Sequence, residues 1–406
     1  MTFLPASATR RHFLQRSALA GAAGLLGVRG LAADTVTLPF ANGERALATF
    51  PQKRPLILQT SRPPQLETPF AVFNEGILTP NDAFFVRYHL AGIPTAIDPD
   101  AFRVEVKGHV EKPLALSLAD LRKMEGVEIT AVNQCSGNSR GFFQPRVGGG
   151  QLGNGAMGNA KWRGVRLKDV LELAGLKAGA KQVAFNGLDK PLVEKTPDFI
   201  KALDLEHALD GEVMLAFEMN GEPLPMLNGF PLRLVVPGCY GTYWVKHLSE
   251  ITVLPEVLDN FWMTTAYRIS CTPGAAIAPG TAPGKTEPIQ RFNVRSFITS
   301  VADGAQLKAG GVTPLRGIAF DGGAGIREVL VSADAGRTWQ PAELGADLGR
   351  YSFREWKLPL TLKAAGPVEL KCRAINRVGE SQPLEPLWNP SGYMRNVVET
   401  VKAQAV

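Results

Sequence analysis

The chain has 406 residues, 45% of them hydrophobic and 20% charged, with a formal net charge of +6. That length holds two domains with real cores, and the composition is that of a soluble globular protein. The surplus charge is no footprint of a nucleic-acid or membrane partner: Arg10, Arg11, Arg16 and Arg29 all precede the first acidic residue, Asp34, and setting them aside takes +6 to +2. No Lys/Arg run of the kind that tracks a phosphate backbone occurs.

Thr9-Arg10-Arg11-His12-Phe13-Leu14 is a twin-arginine pattern, followed by a weakly apolar run from Ala18 to Val28 and a small-residue end, Leu31-Ala32-Ala33. Residues 1–33 therefore read as a twin-arginine export signal cleaved near Ala33, which places the mature chain in the periplasm. The apolar run is too short and too rich in glycine for a stable membrane anchor, and no later stretch is long enough for a span. This route carries folded proteins, and the usual reason to need it is a cofactor inserted in the cytoplasm.

Asp34 to about Pro80 is proline-rich and is expected to be an extended surface wrap. Phe84–His89 reads as a strand entering a site, and Phe102–Val106 alternates as a half-buried strand does. Ser117 is an expected N-cap for a short helix reaching Met124. Val127, Ile129 and Ala131 alternate on a strand that ends near Cys135, and a glycine-rich stretch runs from Gly148 to Gly158. A helix over Leu167–Ala174 stops at Gly175. Strands are expected at Gln182–Asn186, Val213–Glu218, Leu232–Val236 and Val245–Val253. Short strands with few helices imply an α+β domain over residues 34–286. Pro273, Pro279, Pro283 and Pro288 mark a linker. Beyond it Val294–Thr299, Leu315–Phe320, Glu328–Ser332, Ser352–Leu358 and Pro367–Asn376 read as the strands of an all-β, immunoglobulin-like sandwich over residues 287–406.

Asn133-Gln134-Cys135-Ser136-Gly137-Asn138-Ser139-Arg140 carries the chemistry. A thiolate is a soft ligand for a redox metal, and a loop of small residues lets backbone N–H groups approach an anion. The four cysteines, Cys135, Cys239, Cys271 and Cys372, form no CxxC pair, and no CxxCH haem motif is present. If Cys135 binds a metal, at most one disulfide remains.

With these residues the chain resembles the sulfite oxidase family of molybdenum enzymes, and within it the bacterial periplasmic sulfite dehydrogenases. The resemblance runs from about Phe84 to Val401. It implies a molybdopterin-binding catalytic domain followed by an immunoglobulin-like dimerisation domain, a molybdenum–molybdopterin cofactor, and no haem in this chain. Cys135 matches the cysteine that binds molybdenum. Phe84-Phe85-Val86-Arg87-Tyr88-His89 matches a segment whose arginine faces the substrate oxyanion and whose residues Phe85 to His89 meet the pterin. Arg140 matches a second active-site arginine, and two guanidiniums grip an oxyanion with forked hydrogen bonds. Asp189, in Gly187-Leu188-Asp189, would bind the pterin. Arg233 and Lys246, with Trp244 and Val245, match the segment that holds its phosphate. Asn228 stands where animal enzymes have a pterin-binding histidine, and Gln151-Leu152 near where they have a pocket tryptophan. Tyr267 matches an active-site tyrosine serving proton movement. Trp388-Asn389-Pro390 and Gly392-Tyr393 match a closing signature of the second domain, with Arg395 a further cation near the pocket mouth.

The reaction so implied is oxidation of sulfite to sulfate, with electrons passed to a c-type cytochrome, bound as a subunit or met in collision. The partner state is a homodimer or heterodimer. On the same fold the alternatives are a sulfane dehydrogenase subunit of a thiosulfate-oxidising complex, or a sulfoxide reductase. From another class the alternative is a non-catalytic periplasmic oxyanion-binding protein in which Cys135 is dispensable.

Overall fold

The structure is a computed structural model that describes residues 34–406; the twin-arginine pattern and the apolar run behind it lie outside the described residues. No helix among the described residues is long and apolar enough to cross a membrane.

The proline-rich start is more ordered than its composition suggests. Strands Glu44–Ala48, Leu56–Ser61 and Pro64–Glu67 pair antiparallel in sequence, and the last pairs with Val86–Arg87. The prolines sit in turns and at a strand start, where a missing N–H costs nothing.

The first large core is built on the hairpin Gly126–Gln134 with Met157–Arg166, an unbroken register from Gly126↔Val165 to Gln134↔Met157. The second of these strands follows a glycine-rich stretch that hides its pattern. It continues the sheet to Met214–Met219, which pairs with Arg233–Val235. A second sheet runs Lys201–Asp204, Gln182–Gly187, Leu248–Leu254, Arg103–Gly108, Leu114–Ser117, with one parallel pair between Leu248–Leu254 and Arg103–Gly108. The strand expected from Val245 begins at Leu248, because Val245 and Lys246 line a cavity and His247 breaks the extended backbone at φ +49°. Ser117 caps Leu118–Lys123 with a full capping box to Asp120, and Gly175 ends Leu167–Ala174 at φ +66°. Trp162 and Trp244 pack edge to face in the core at 5.6 Å, each donating its indole N–H to a carbonyl, Ala131 O and Cys239 O.

Past the prolines, two sheets face each other. Arg295–Ile298, Val312–Phe320, Arg354–Thr361 and Glu343–Leu344 form one; Ala305–Leu307, Thr400–Ala405, Gly366–Asn376, Ile326–Ser332 and Gln340–Pro341 form the other. Gly366–Asn376 buries alternate residues, and Leu315, Trp356 and Leu358 meet Val331, Leu370 and Ala403 between the sheets. A further aromatic core ties the parts together: Phe73 from the start, Val132, Tyr240 and Tyr267 from the first region, and Phe297, Phe320 and Phe353 from the sandwich. All four cysteines are free thiols.

Glu67 joins the first sheet to the glycine-rich stretch. It is buried, accepting from Gly153 N at 3.0 Å, Gly155 N at 3.2 Å and the Gln59 amide. Glu67→Ala strands those donors and should cost about 2 kcal/mol. A thermal-unfolding midpoint several degrees lower is the expected result, and an unchanged midpoint would mean that something else holds the stretch.

Candidate functional site

Two cavities meet at three side chains. Cys135, Arg87 and Tyr267 line both the deeper cavity and a wider, outer one. The strand Gly126–Gln134 delivers Cys135 at its very end, where Cys135 N donates to Ala156 O at 2.9 Å. Asn138 N then bonds back to Cys135 O, and Ser139 turns the chain at φ +71°. Tyr267 and His247 also hold positive φ, at +57° and +49°. Such conformations cost non-glycine residues about 1–3 kcal/mol each and gather at functional sites.

The deeper cavity is walled by Phe84, Phe85, Arg87, His89, Asp189, Asn228, Arg233, Trp244, Val245 and Lys246. Most of the expected pterin-facing residues are thus brought together. Val86 and Tyr88 are the exceptions. The alternation of the chain turns Phe85, Arg87 and His89 to the cavity and sends Val86 and Tyr88 into a separate apolar cluster with Leu56 and Leu66. Tyr88 instead hydrogen-bonds His247 at 2.7 Å. Asn133 and Ser136, from the segment around Cys135, join the wall, while sequence reasoning missed Phe199, Leu227, Gly241 and Thr242, small or apolar residues with no chemical signature of their own.

Positive charge dominates this cavity. Among its described wall residues Asp189 is the one carboxylate, against Arg87, Arg233 and Lys246. Burial pulls Lys246 down to about 7 and Arg233 down to about 9. Arg233 lies 4.8 Å from the Trp162 ring and 5.6 Å from Trp244, and Lys246 lies 4.2 Å over Tyr88. Two lysines without a sequence signal add to the charge. Lys53 donates to Asn81 O, Phe84 O and Asn228 Oδ1; Lys201 lies 4.8 Å over Tyr243 and donates to Trp262 O at 2.6 Å. Burial brings both to about 7. Asn133 Oδ1, Ser136 Oγ, Thr242 Oγ1 and Arg233 Nε are buried with no partner among the described residues. Unsatisfied polar atoms and uncompensated cations are what an anionic, hydrogen-bonding cofactor would satisfy, so the residues fit a pterin carrying a phosphate. Asn228 is already engaged, accepting from Lys53 and donating to Phe85 O at 3.1 Å.

His89 stacks on Phe199 at 3.8 Å and shares a hydrogen bond between Nε2 and Tyr267 Oη. Burial, with Arg87 next, holds the imidazole well below its usual range, so it is neutral. Burial likewise keeps the Tyr267 hydroxyl protonated.

The outer cavity, about 360 Å³, is lined by Arg87, Arg140, Gln65, Tyr267, Tyr393, Ser391 and the Gly148–Gly150 backbone. Arg140 is held by Ser391 O at 3.1 Å and lies 5.1 Å from the Tyr393 ring. A Cβ at Gly137 would stand 2.6 Å from its guanidinium carbon, and one at Gly392 (φ +61°) 2.7 Å from its Cγ. Leu152 lines this wall, and Gln151 donates to Val147 O and Gly149 O. Arg395 is not at the mouth; it is tied to Glu399 and lies over Phe142.

Comparison with known proteins bears on this arrangement. Residues 89–262 match the model of an oxidoreductase molybdopterin binding domain, and residues 286–405 that of a Mo-co oxidoreductase dimerisation domain. The chain is 35% identical to the mitochondrial sulfite oxidase of Mus musculus, over 91% of this chain and 69% of that one. It is 31% identical to the sulfite oxidase of Arabidopsis thaliana, over 88% of this chain and 96% of that one. The sulfane dehydrogenase SoxCD from Paracoccus pantotrophus superposes with a TM-score of 0.73 at 23% identity, covering 99% of this chain and 93% of that one; the likeness is one of fold.

Two expectations follow from the geometry. His247 donates through Nδ1 to Phe230 O and accepts from Tyr88, and burial lowers it from 6.5 to about 4. Its stabilisation is present above pH 6.5 and is lost as pH falls toward 4, by about 3 kcal/mol. Melting midpoints measured across that window should fall less steeply for His247→Gln. Gly137→Ala should displace Arg140 and raise the KM for an anionic substrate about tenfold, with the fold intact by circular dichroism.

Proposed function

Since the chain belongs to the sulfite oxidase family of molybdopterin oxidoreductases, we propose that it oxidises sulfite to sulfate in the periplasm and passes the electrons to a c-type cytochrome. The observation that carries the reading is the junction: a thiol, a guanidinium and a tyrosine shared by a cofactor cavity and a basic outer cavity. Sulfite and water give sulfate, two protons and two electrons. When bound, the molybdenum–molybdopterin cofactor would supply the two-electron, oxygen-transferring oxidation.

The chain's own residues divide the remaining work. Cys135 is the molybdenum ligand. Arg233 and Lys246 hold the pterin phosphate, while Phe85, His89, Asp189, Asn228, Trp244 and Val245 shape its bed. Arg87 and Arg140 grip the substrate anion and favour charge on its oxygens. Tyr267, kept protonated by burial and tied to neutral His89, sets its hydroxyl at the junction as a hydrogen-bonding group for the reacting atoms. With no haem motif in the sequence, the electrons leave to another chain, and the twin-arginine pattern supports export to a compartment where such cytochromes work. The dimerisation-domain match supports a partner chain, a second copy or a cytochrome subunit.

Sulfite-dependent reduction of ferricytochrome c tests this reading. Cys135→Ser should abolish it, and Arg140→Met should lower kcat/KM on the order of 10²-fold. A molybdenum-loaded protein that reduces neither cytochrome c nor ferricyanide with sulfite would overturn it. The outer cavity's 360 Å³ favours a second reading, oxidation of a sulfane sulfur carried on a larger molecule, because that volume far exceeds one small oxyanion.

A further inference from the structure

The segment between Asp34 and Pro80 has no expected role in chemistry, yet one of its strands forms part of the outer cavity. Pro64–Glu67 pairs antiparallel with Val86–Arg87, placing Gln65 directly opposite Arg87. Residues opposite each other in such a pair present their side chains on the same face, within reach of one group between them. Both side chains line the outer cavity. The Gln65 carbonyl oxygen, Oε1, stands 3.3 Å from the Cβ position of Gly150, across the cavity wall from Arg140, which donates to Gly150 O.

Gln65 differs from its polar neighbours on this strand and just beyond it. Glu67 accepts from Gly153 and Gly155, and Thr68 donates to Ala83 O. The Gln65 amide makes no hydrogen bond among the described residues, although the residue is half-buried. An amide offers two N–H donors and no charge. The strand also holds the wall in place: Glu67, two residues on and therefore on the same face, fixes the stretch that carries Gly148 to Leu152.

We propose that Gln65 is a substrate-binding residue, donating an uncharged hydrogen bond from its amide to an oxygen of the tetrahedral anion that Arg87 and Arg140 grip. This rests on the anion-oxidising reading above and adds to it a third donor contributed by the amino-terminal sheet. The third oxygen of the anion then meets a donor that adds no further positive charge to that of the two guanidiniums.

The test uses purified, molybdenum-loaded protein and two probes: sulfite turnover with ferricyanide, and sulfate binding by calorimetry. Gln65→Leu should raise the KM for sulfite and the Kd for sulfate by about tenfold each, with a smaller change in kcat. Gln65→Glu should weaken both further by repulsion, and Gln65→Asn should recover part of the loss. Melting midpoints like that of the unsubstituted protein show that the variants fold. Unchanged sulfate affinity in Gln65→Leu overturns the proposal, as does absence of sulfate binding by the unsubstituted protein. If that protein binds sulfate but does not turn over sulfite, the oxidation reading falls while the sulfate titration still decides the role of Gln65.

Discussion

Lys53, Lys201 and Arg233 are almost wholly removed from water around a cavity whose described wall holds one carboxylate. Taking a cation out of water costs several kcal/mol unless a counter-charge returns it. Here the protein answers with carbonyl oxygens and ring faces, which hold the charges in position but do not neutralise them. The depressed proton affinities of Lys53, Lys201, Arg233 and Lys246 are the measure of that deficit. A fold that concentrates unpaired cations in this way is completed by an anion, and the family's cofactor is one. The tryptophans of the core therefore serve packing and electrostatics at once, since Trp162 and Trp244 are both core and cation platforms.

The outer cavity solves a different problem: how to keep a flexible arginine in one place. Arg140 is hemmed in by glycines that admit it only because they lack a Cβ, and by the carbonyl of Ser391. Small residues there are less a sign of looseness than of close approach. Tyr267 stacks on Tyr393 at 5.6 Å, so the shared tyrosine is fixed from the far side as well.

Much of this was legible in the sequence. Cys135, Arg87, His89, Arg140, Asp189, Arg233, Lys246 and Tyr267 carry chemistry in their side chains, and the structure gathers them around the two cavities. The strict alternation of Gly366–Asn376 and the capping box at Ser117 made those elements readable as well. What stayed hidden has physical causes. Val86 and Tyr88 sit inside a motif whose other members line the cofactor cavity, but a strand shows only every second residue to one side. Met157–Arg166 is buried on both faces over most of its length and so lacks alternation. Lys53 and Gln65 lie in a proline-rich run, where nothing local announces that the chain returns to the site.

The residues that complete the outer cavity come from opposite ends of the described chain. Gln65 is supplied near its start, while Ser391 and Tyr393 arrive after the last long strand pair of the sandwich has begun to close. A ribosome thus finishes the cofactor bed, which needs nothing beyond Tyr267, well before it has made the substrate's. The two domains are consequently not interchangeable parts: a sandwich borrowed from elsewhere would still need this one's carboxy-terminal return to restore the grip on Arg140.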